Sequence, residues 1–389
     1  LKPGVWPVAG PFVLIWVLAP VLAWRLSVPA KTSNAKVLSP HETHAMRLIA
    51  RRTWRFFETF VDKEENPLPL DNFQEDPEPV EAHRTSPTNL GLYLLSTLTA
   101  HDFGWIGTLD TVERLEATFG TMAKLHRTRG HFCNWYDTRD LRPLEPVYIS
   151  TVDSGNLAGH LLALAQGCRE LQDRSSFCPG TLKGVRDALQ LLLDSVETAE
   201  RPQRTQTVTG AQLREAATEM VALLEDSPAS VGDWARRLEE LAARAENLQD
   251  IARTLSSHGD GGSPTEVLGW ASAVQESVRS HARDLETASP DAAADLRQRL
   301  LGIAQLAEEF FQTMDFRFLF HPSRRLFSIG YRVADNTLDP NCYDLLASEA
   351  RLASFVAIVK GDVSPRHWFL LGRPLTPVRH GAALVSWSG

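Results

Sequence analysis

The chain has 389 residues, of which 43% are hydrophobic and 23% charged, a composition typical of globular proteins with one large domain or two ordinary ones. Its formal net charge is −8 and no basic stripe stands out, which argues against nucleic acid as the main partner. The cysteines and histidines show no metal-ligand spacing, and no glycine-rich phosphate loop is present, so we predict neither a metal site nor a cofactor.

The N-terminal segment from Val5 to Trp24 carries no charged residue and has about the length of a bilayer-spanning helix. Prolines interrupt it, and tryptophans near its ends could lie at the membrane interfaces. We therefore predict a transmembrane segment over residues 1–27 and a linker over 28–40, with the C-terminal side in the cytoplasm. A signal peptide and a buried hydrophobic helix are the alternatives.

We predict that residues 41–389 form one domain in which apolar helices alternate with long loops. Ser39, Pro40 and Glu42 predict the start of a helix that ends near Val61. A polar loop over 62–88 follows. Further helices are predicted over 89–100, 108–128, 151–171, 181–197 and 344–360. The pattern indicates an all-α toroid built from helical hairpins.

A second pattern interrupts this domain over about residues 205–300. Apolar residues recur there at alternating steps of four and three, with one position skipped, and charged residues fill the other faces. The stripe comprises Trp234, Leu238, Leu241, Ala245, Leu248 and Leu255. We predict a helical, partly coiled-coil-like insertion with a structural role.

The loop from Asn134 to Asp140, with Asp153 a short way on, combines aromatic rings, amides and carboxylates. Sugar sites use this mixture, because pyranose C–H faces stack on aromatic rings and sugar hydroxyls bind carboxylates and amides. The alternative is structural, since Trp, Tyr and Asp in loops often only pack and cap helices.

Five stretches together carry a resemblance to a known family. They are His83–Asn89 (HRTSPTN), His131–Asp137 (HFCNWYD), Val152–Leu157 (VDSGNL), Tyr343–Arg351 (YDLLASEAR), and His367–Phe369 (HWF) with Gly372–Arg373. With the apolar segment before them, they resemble the middle part of bacterial cyclic β-1,2-glucan synthases.

The resemblance implies a glucoamylase-like (α/α)6 domain that closes a β-1,2-glucan chain into a ring by transglycosylation. It also implies the bacterial inner membrane as the location, with the domain on the cytoplasmic side. The expected partners are β-1,2-glucan, the membrane, an upstream glycosyltransferase domain and a downstream phosphorylase-like domain. In the family, more acidic residues follow the Trp-Ser-Gly motif at which this chain stops. We therefore expect a toroid incomplete at its C-terminus, and activity of this chain alone is not assured.

Breaking a β-linkage and remaking it as a β-linkage requires two inversions, which a carboxylate nucleophile and a carboxyl acid/base provide. We predict Asp137 and Glu349 as catalytic carboxylates. The predicted substrate-binding residues are Arg84, Trp135, Tyr136, Asp153, Asn156, Asp344, Arg351, Trp368 and Trp387. His131 and His367 are expected to be hydrogen-bonded structural residues.

Several alternatives stay open at this stage. Asp137 could be a loop-to-helix cap with aromatic packing, Asp153 could cap the helix that follows it, and Trp368 and Trp387 could be core residues. The chain could be an endo-β-1,2-glucanase on the same scaffold, because only water in place of a sugar acceptor separates the two reactions. It could also be a non-catalytic glucan-binding or assembly module.

Overall fold

The computed structural model describes residues 6–27, 38–62, 65–174, 177, 179–199, 204–225, 228–257, 263–379 and 381–386. Helix accounts for 64% of the structure and strand for 11%, which confirms the mainly helical class. Contacts divide the chain into two compact units, Leu1–Arg47 and Leu48–Gly389.

The helices of the described residues are α1 (Trp6–Ser27), α2 (Pro40–Phe60), α3 (Pro87–Phe103), α4 (Thr108–Met122), α5 (Thr151–Leu171), α6 (Pro179–Ala199), α7 (Arg204–Leu223), α8 (Val231–Ser257), α9 (Ser263–Arg283), α10 (Pro290–Thr313), α11 (Arg351–Lys360) and α12 (Arg366–Leu370). The strands are β1 (Phe73–Gln74), β2 (Val80–Glu81), β3 (Arg84–Thr85), β4 (Arg127–Thr128), β5 (His131–Phe132), β6 (Tyr136–Asp137), β7 (Tyr148–Ser150), β8 (Phe320–His321), β9 (Leu326–Ser328), β10 (Gly330–Arg332), β11 (Thr337–Leu338), β12 (Cys342–Tyr343), β13 (Leu375–Val378) and β14 (Gly381–Leu384). They form small antiparallel pairs and triplets, among them β3–β6 and β11–β10–β7.

The first unit contains α1 and the start of α2. Apolar side chains of α1, such as Phe12, Ile15 and Trp16, are exposed. No helix in the described part of the chain is both long enough and apolar enough to cross a membrane, so the predicted transmembrane segment over residues 1–27 is not supported. The helix start before α2 is confirmed: the Ser39 N–H donates to Glu42 Oε2 at 2.8 Å, and the Glu42 N–H donates to Ser39 Oγ at 3.2 Å.

The larger core of the second unit is organised around α5. Leu157, Leu161 and Leu164 are fully buried there, and α5 packs against α3, α10 and α11. Gly155 lets α5 and α11 approach closely, because a Cβ at this position would lie 2.6 Å from the Cα of Ala353. This packing fixes the start of α5, where Asp153 lies.

A separate hydrophobic core lies between α6, α7, α8 and α9. The whole predicted apolar stripe from Trp234 to Leu255 is buried in it. The first residue along the chain that belongs to this core is Leu182, in α6. Leu296 and Leu300 of α10 belong to the core around α5 instead. The helices over the predicted insertion thus form a packed bundle, as expected for a structural element; the domain boundaries themselves stay a prediction.

The first turn of α4 is capped by a side chain from a distant segment. Asp284, just after α9, accepts the backbone N–H groups of Thr108 at 3.0 Å and Leu109 at 2.9 Å. Ser280 Oγ accepts the N–H of Gly107 at 2.7 Å. Burial raises the pKa of the Asp284 carboxyl to about 6, although the two amide donors favour its charged form. These bonds join the end of α9 to the start of α4.

We expect Asp284→Ala to lower the free energy of unfolding by about 2–4 kcal/mol, because it leaves two buried N–H groups without an acceptor. Urea unfolding followed by circular dichroism measures this change. Asp291→Ala is the matched control, since Asp291 is an exposed acid in the first turn of α10 and should cost only about 0.5 kcal/mol. Equal effects of the two substitutions would contradict a special role for Asp284.

Two predicted helix boundaries are wrong, and tertiary hydrogen bonds explain both. The helix predicted over 108–128 ends at Met122, because Arg127 and Thr128 pair with β5 instead. The helix predicted over 344–360 begins only at Arg351. Before it, the Gly372 N–H donates to the Asp344 carbonyl at 2.7 Å, and this extended pairing excludes a helix.

Candidate active site

Two helix N-termini meet in the region that the sequence indicated. Ser86 caps α3 and Ser150 caps α5, and the Ser150 side chain accepts the N–H of Asp153 at 3.2 Å. Asp153 therefore lies in the first turn of α5, where the helix dipole favours a negative charge. The hydroxyl of Thr88, in the first turn of α3, donates to Asp153 Oδ1 at 2.6 Å.

A chain of hydrogen bonds continues from Asp153 to the aromatic loop. In the orientation that satisfies both of its neighbours, the Asn134 amide donates to Asp153 Oδ2 at 2.9 Å and accepts from Trp135 Nε1 at 3.1 Å. On the other side, Asn156 Nδ2 donates to Thr88 Oγ1 at 3.2 Å. The predicted residues Trp135, Asp153 and Asn156 are thus brought together in one network.

Arg84 extends this network over the tryptophan. Its guanidinium carbon lies 4.5 Å from the centre of the Trp135 ring, which is a cation–π contact. Its Nε and Nη2 donate to Asp71 Oδ2 at 3.1 and 2.9 Å, and Asn89 Nδ2 donates to Asp71 Oδ1 at 3.2 Å. Asp71 was not predicted as a site residue. The only signal for it was its position in the long polar loop over 62–88.

Tyr343 connects Asp153 to the last part of the chain. The strand β12 pairs Tyr343 with Phe327, and burial together with the negative charges of Glu349 and Asp153 raises the pKa of the Tyr343 phenol to about 12. Burial and the charge of Asp339 likewise raise the pKa of Tyr148, which also interacts with Tyr343. A group of two tyrosines and several carboxylates results.

Glu349 is exposed and lies in the turn before α11, not inside a helix as the sequence suggested. Its carboxylate is therefore accessible to solvent. Arg351, the first residue of α11, is exposed as well, and so is Asp344. Asp344 is held through its backbone by Gly372.

Asp137 occupies a different kind of position. Its Oδ1 accepts the backbone N–H groups of Arg139 at 2.9 Å and Asp140 at 3.2 Å, so the carboxylate caps the turn that follows β6. The carboxylate thus caps a turn rather than a helix, and its catalytic role stays a prediction. The turn is anchored further by the buried Glu65, which accepts from the Thr138 hydroxyl and from Arg139 Nε at 3.4 Å.

The remaining predicted residues are placed as follows. Tyr136 is fully buried; its hydroxyl accepts the Cys133 N–H and donates to the His126 carbonyl, so its ring has no free face for a ligand. Burial raises the pKa of this phenol. Trp368 is half-buried, with its ring centre 6.4 Å from that of Phe355. Trp387 lies outside the described residues.

The two histidines expected to be structural differ from each other. His367 is buried and hydrogen-bonded, with Nε2 2.8 Å from Ser354 Oγ and Nδ1 2.9 Å from the Arg325 carbonyl. His131 is also buried, but neither ring nitrogen has a partner in hydrogen-bonding geometry. Both residues lie in the core rather than at a ligand surface.

Comparison with known proteins identifies a similar segment in a longer protein. No protein-family model matches the chain. The chain is 47% identical over 388 residues, 97% of its own length, to the cyclic beta-(1,2)-glucan synthase NdvB of Rhizobium meliloti (strain 1021). It spans only 13% of the length of that protein. The similarity therefore concerns one segment of a much longer synthase.

Proposed function

We propose that this chain is the ring-closing unit of a cyclic β-1,2-glucan synthase and that it acts by anomer-retaining transglycosylation. The observation that carries the proposal is the hydrogen-bond network in which Thr88 and Asn134 both donate to Asp153, beside the half-buried Trp135. The similarity to one segment of a cyclic β-1,2-glucan synthase supports the choice of substrate.

In the proposed reaction, Asp153 is the nucleophile and Glu349 is the acid/base. Thr88 and Asn134 both donate to Asp153, which stabilises the charged carboxylate that attacks the anomeric carbon. The glycosidic C–O bond breaks as Glu349 gives its proton to the departing sugar oxygen. A hydroxyl at the non-reducing end of the same chain then attacks the glycosyl ester, releases Asp153 and returns a proton to Glu349.

Trp135 and Arg84 bind the substrate in this proposal. The Trp135 ring offers an apolar surface for a pyranose, and its indole N–H orients Asn134 toward Asp153. The Asp71 carboxylate holds the Arg84 guanidinium over that ring. Tyr136 is left out because it is buried, and Asp137 is assigned to holding the loop.

We further propose that the helices form part of a glucoamylase-like (α/α)6 toroid. The unit would act within a longer inner-membrane synthase that carries glycosyltransferase and phosphorylase-like domains elsewhere. The packing of α3, α10 and α11 around α5 is compatible with such a helical scaffold.

Incubating the chain with linear β-1,2-glucan tests the proposed reaction. Mass spectrometry should detect products lighter by one water than linear glucans with the same number of units, and no new reducing ends should appear. An otherwise identical incubation with Asp153→Asn should give no such products. Unchanged substrate with wild-type chain at saturating glucan would contradict ring closure by this chain.

Hydrolysis of the same glucan is the second candidate, and the exposure of Glu349 favours it, because water can reach the acid/base. New reducing ends, with oxygen-18 from labelled water at the anomeric position, would identify an endo-glucanase. Calorimetric binding of the glucan without either product would identify a binding module.

A further inference from the structure

A cleft between α2 and α9 lies apart from the residues of the candidate active site. Its inner part is a cavity of about 260 Å³, and it adjoins a wider cavity of about 620 Å³. Arg55 and Thr59 line both cavities, so the two lie side by side. Their volumes are of the order found for sites that bind small molecules, about 300–1,000 Å³.

The inner cavity contains polar groups that the fold does not use. Arg55 contacts the Trp270 ring, with its guanidinium carbon 4.7 Å from the ring centre, but within the described residues it has no hydrogen-bond acceptor. Ser277 is 2% exposed, and its hydroxyl has no hydrogen-bond partner among the residues that the structure describes. An unpaired buried hydroxyl costs about 1–3 kcal/mol, so a ligand that bonds to it recovers free energy.

The charges around the cavity favour a neutral ligand. Arg55 and Arg114 line it together with Glu276 and Asp110. A third carboxylate, Glu58, is already neutralised by Arg51. Asp110 and Arg114 pair with each other, with Arg114 Nε 3.4 Å from Asp110 Oδ1, so an anion would meet Glu276 and a cation would meet Arg55. A polyhydroxylated molecule uses donors and acceptors alike without adding a charge.

The outer cavity has the apolar surface that a sugar chain needs. Phe56, Phe60 and Phe73 line it and are half-buried. Their rings form a continuous row, with ring centres 5.1 Å apart between Phe56 and Phe60 and 4.9 Å apart between Phe60 and Phe73. Aromatic faces in such a row can contact the C–H faces of successive pyranoses.

We propose that the cleft between α2 and α9 is a second carbohydrate site, which holds a neutral gluco-oligosaccharide through Arg55, Ser277 and the row of phenylalanines. The choice of a β-1,2-glucan as the ligand rests on the proposed function. The site would retain a long glucan on the protein while another part of the same molecule reacts, which raises its local concentration at the active site.

Gly269 provides a specific test, because a Cβ at this position would collide with the guanidinium of Arg55. Gly269→Ala should therefore displace Arg55 and abolish binding in the cleft. Gly302→Ala is the matched control, since Gly302 also lies in a helix and a Cβ there would meet nothing within 4 Å.

Ser277→Ala should weaken binding about fivefold, while the free energy of unfolding stays equal or rises, since no hydrogen bond is lost.

The measurement is a calorimetric titration of the 389-residue chain with a purified linear β-1,2-gluco-oligosaccharide. We expect two binding events: Gly269→Ala removes one, and Trp135→Ala removes the other. Unchanged binding in both Gly269→Ala and Ser277→Ala, or a single event that Trp135→Ala abolishes, overturns the proposal. Tighter binding of inorganic phosphate than of the oligosaccharide would overturn the proposal that the ligand is neutral.

The outcome is separable from that of the proposed function. Loss of one binding event in Gly269→Ala, in a chain that makes no cyclic product, would leave the second site standing and refute ring closure. Cyclic products formed by a chain whose glucan binding does not respond to Gly269→Ala would refute the second site and leave ring closure standing.

Discussion

Glu349→Gln and Asp153→Asn should each slow ring closure of linear β-1,2-glucan by about a thousandfold, the usual cost of removing an acid, base or nucleophile. Asp137→Asn should leave the rate within about threefold, because an asparagine oxygen can accept the same N–H groups of Arg139 and Asp140. All three substitutions replace a carboxylate by its amide. The contrast therefore tests position rather than the loss of one negative charge.

Azide can assign the two roles. With Asp153→Ala, azide should replace the missing nucleophile and yield a glycosyl azide with inverted anomeric configuration. With Glu349→Ala, the glycosyl ester still forms, and azide attacks it to give the retained configuration. Proton NMR distinguishes these products. Full activity in Glu349→Gln, or a large loss in Asp137→Asn with an unchanged melting temperature, would refute the assignment.

The local parts of the candidate site could be predicted from the sequence. Trp135 and Asp153 belong to short motifs rich in sugar-binding residue types, and the structure joins them through Asn134. The role of Asp137 could not be decided in advance, because catalysis and turn capping use the same residue at the same place. The answer depends on where one carboxylate oxygen points, which the fold determines.

The long-range parts of the site could not be predicted. The position of Tyr343 follows from the pairing of β12 with β9, which sets Tyr343 opposite Phe327, and the sequence does not specify this register. Asp71 and Glu65 lie in a polar loop without periodicity, and only their partners Arg84 and Arg139 give them a role.

The fold shows the same division between local and distant information. The stripe from Trp234 to Leu255 has a strong helical period, and every one of its residues is buried as expected. The start of α11 was predicted seven residues too early, from Asp344 instead of Arg351, because a backbone pairing with Gly372 outweighs local helix propensity.

Mild acid should destabilise the fold steeply, because two buried histidines, His131 and His281, and the half-buried His101 are held in uncharged form. Burial lowers the pKa of His131 to about 3 and those of His101 and His281 to about 4, from an ordinary value of 6.5. Neighbouring His281 and Arg174 lower the pKa of His101 further. Asp315 raises the pKa of His131, and the charge of Lys360 lowers it. The hydrogen bond to the Gly104 carbonyl and the charge of Asp110 raise the pKa of His281. The net direction is downward for all three.

The unfolded chain therefore binds protons between pH 6.5 and about 4 that the folded chain does not. The stability associated with these histidines is complete above pH 6.5 and is lost as the pH falls, by about 1.4 kcal/mol per pH unit for each group. Asp284 offsets the effect of one histidine on stability. Its pKa is raised from 3.8 to about 6 in the folded chain, so the folded chain binds that proton more strongly than the unfolded chain does. The net loss is roughly 3 kcal/mol per pH unit, against a typical domain stability of about 5–15 kcal/mol.

Urea unfolding at a series of pH values should show this slope, and His131→Leu should reduce it by about 1.4 kcal/mol per pH unit. Leucine is close in volume to histidine and fits among Phe316 and Phe318, whose rings meet the imidazole edge-on. The substitution removes no hydrogen bond, because His131 makes none in suitable geometry. His126→Leu is the control, since the His126 side chain is exposed and its replacement should leave the slope unchanged. If His131→Leu and His126→Leu have the same slope, the acid sensitivity arises elsewhere.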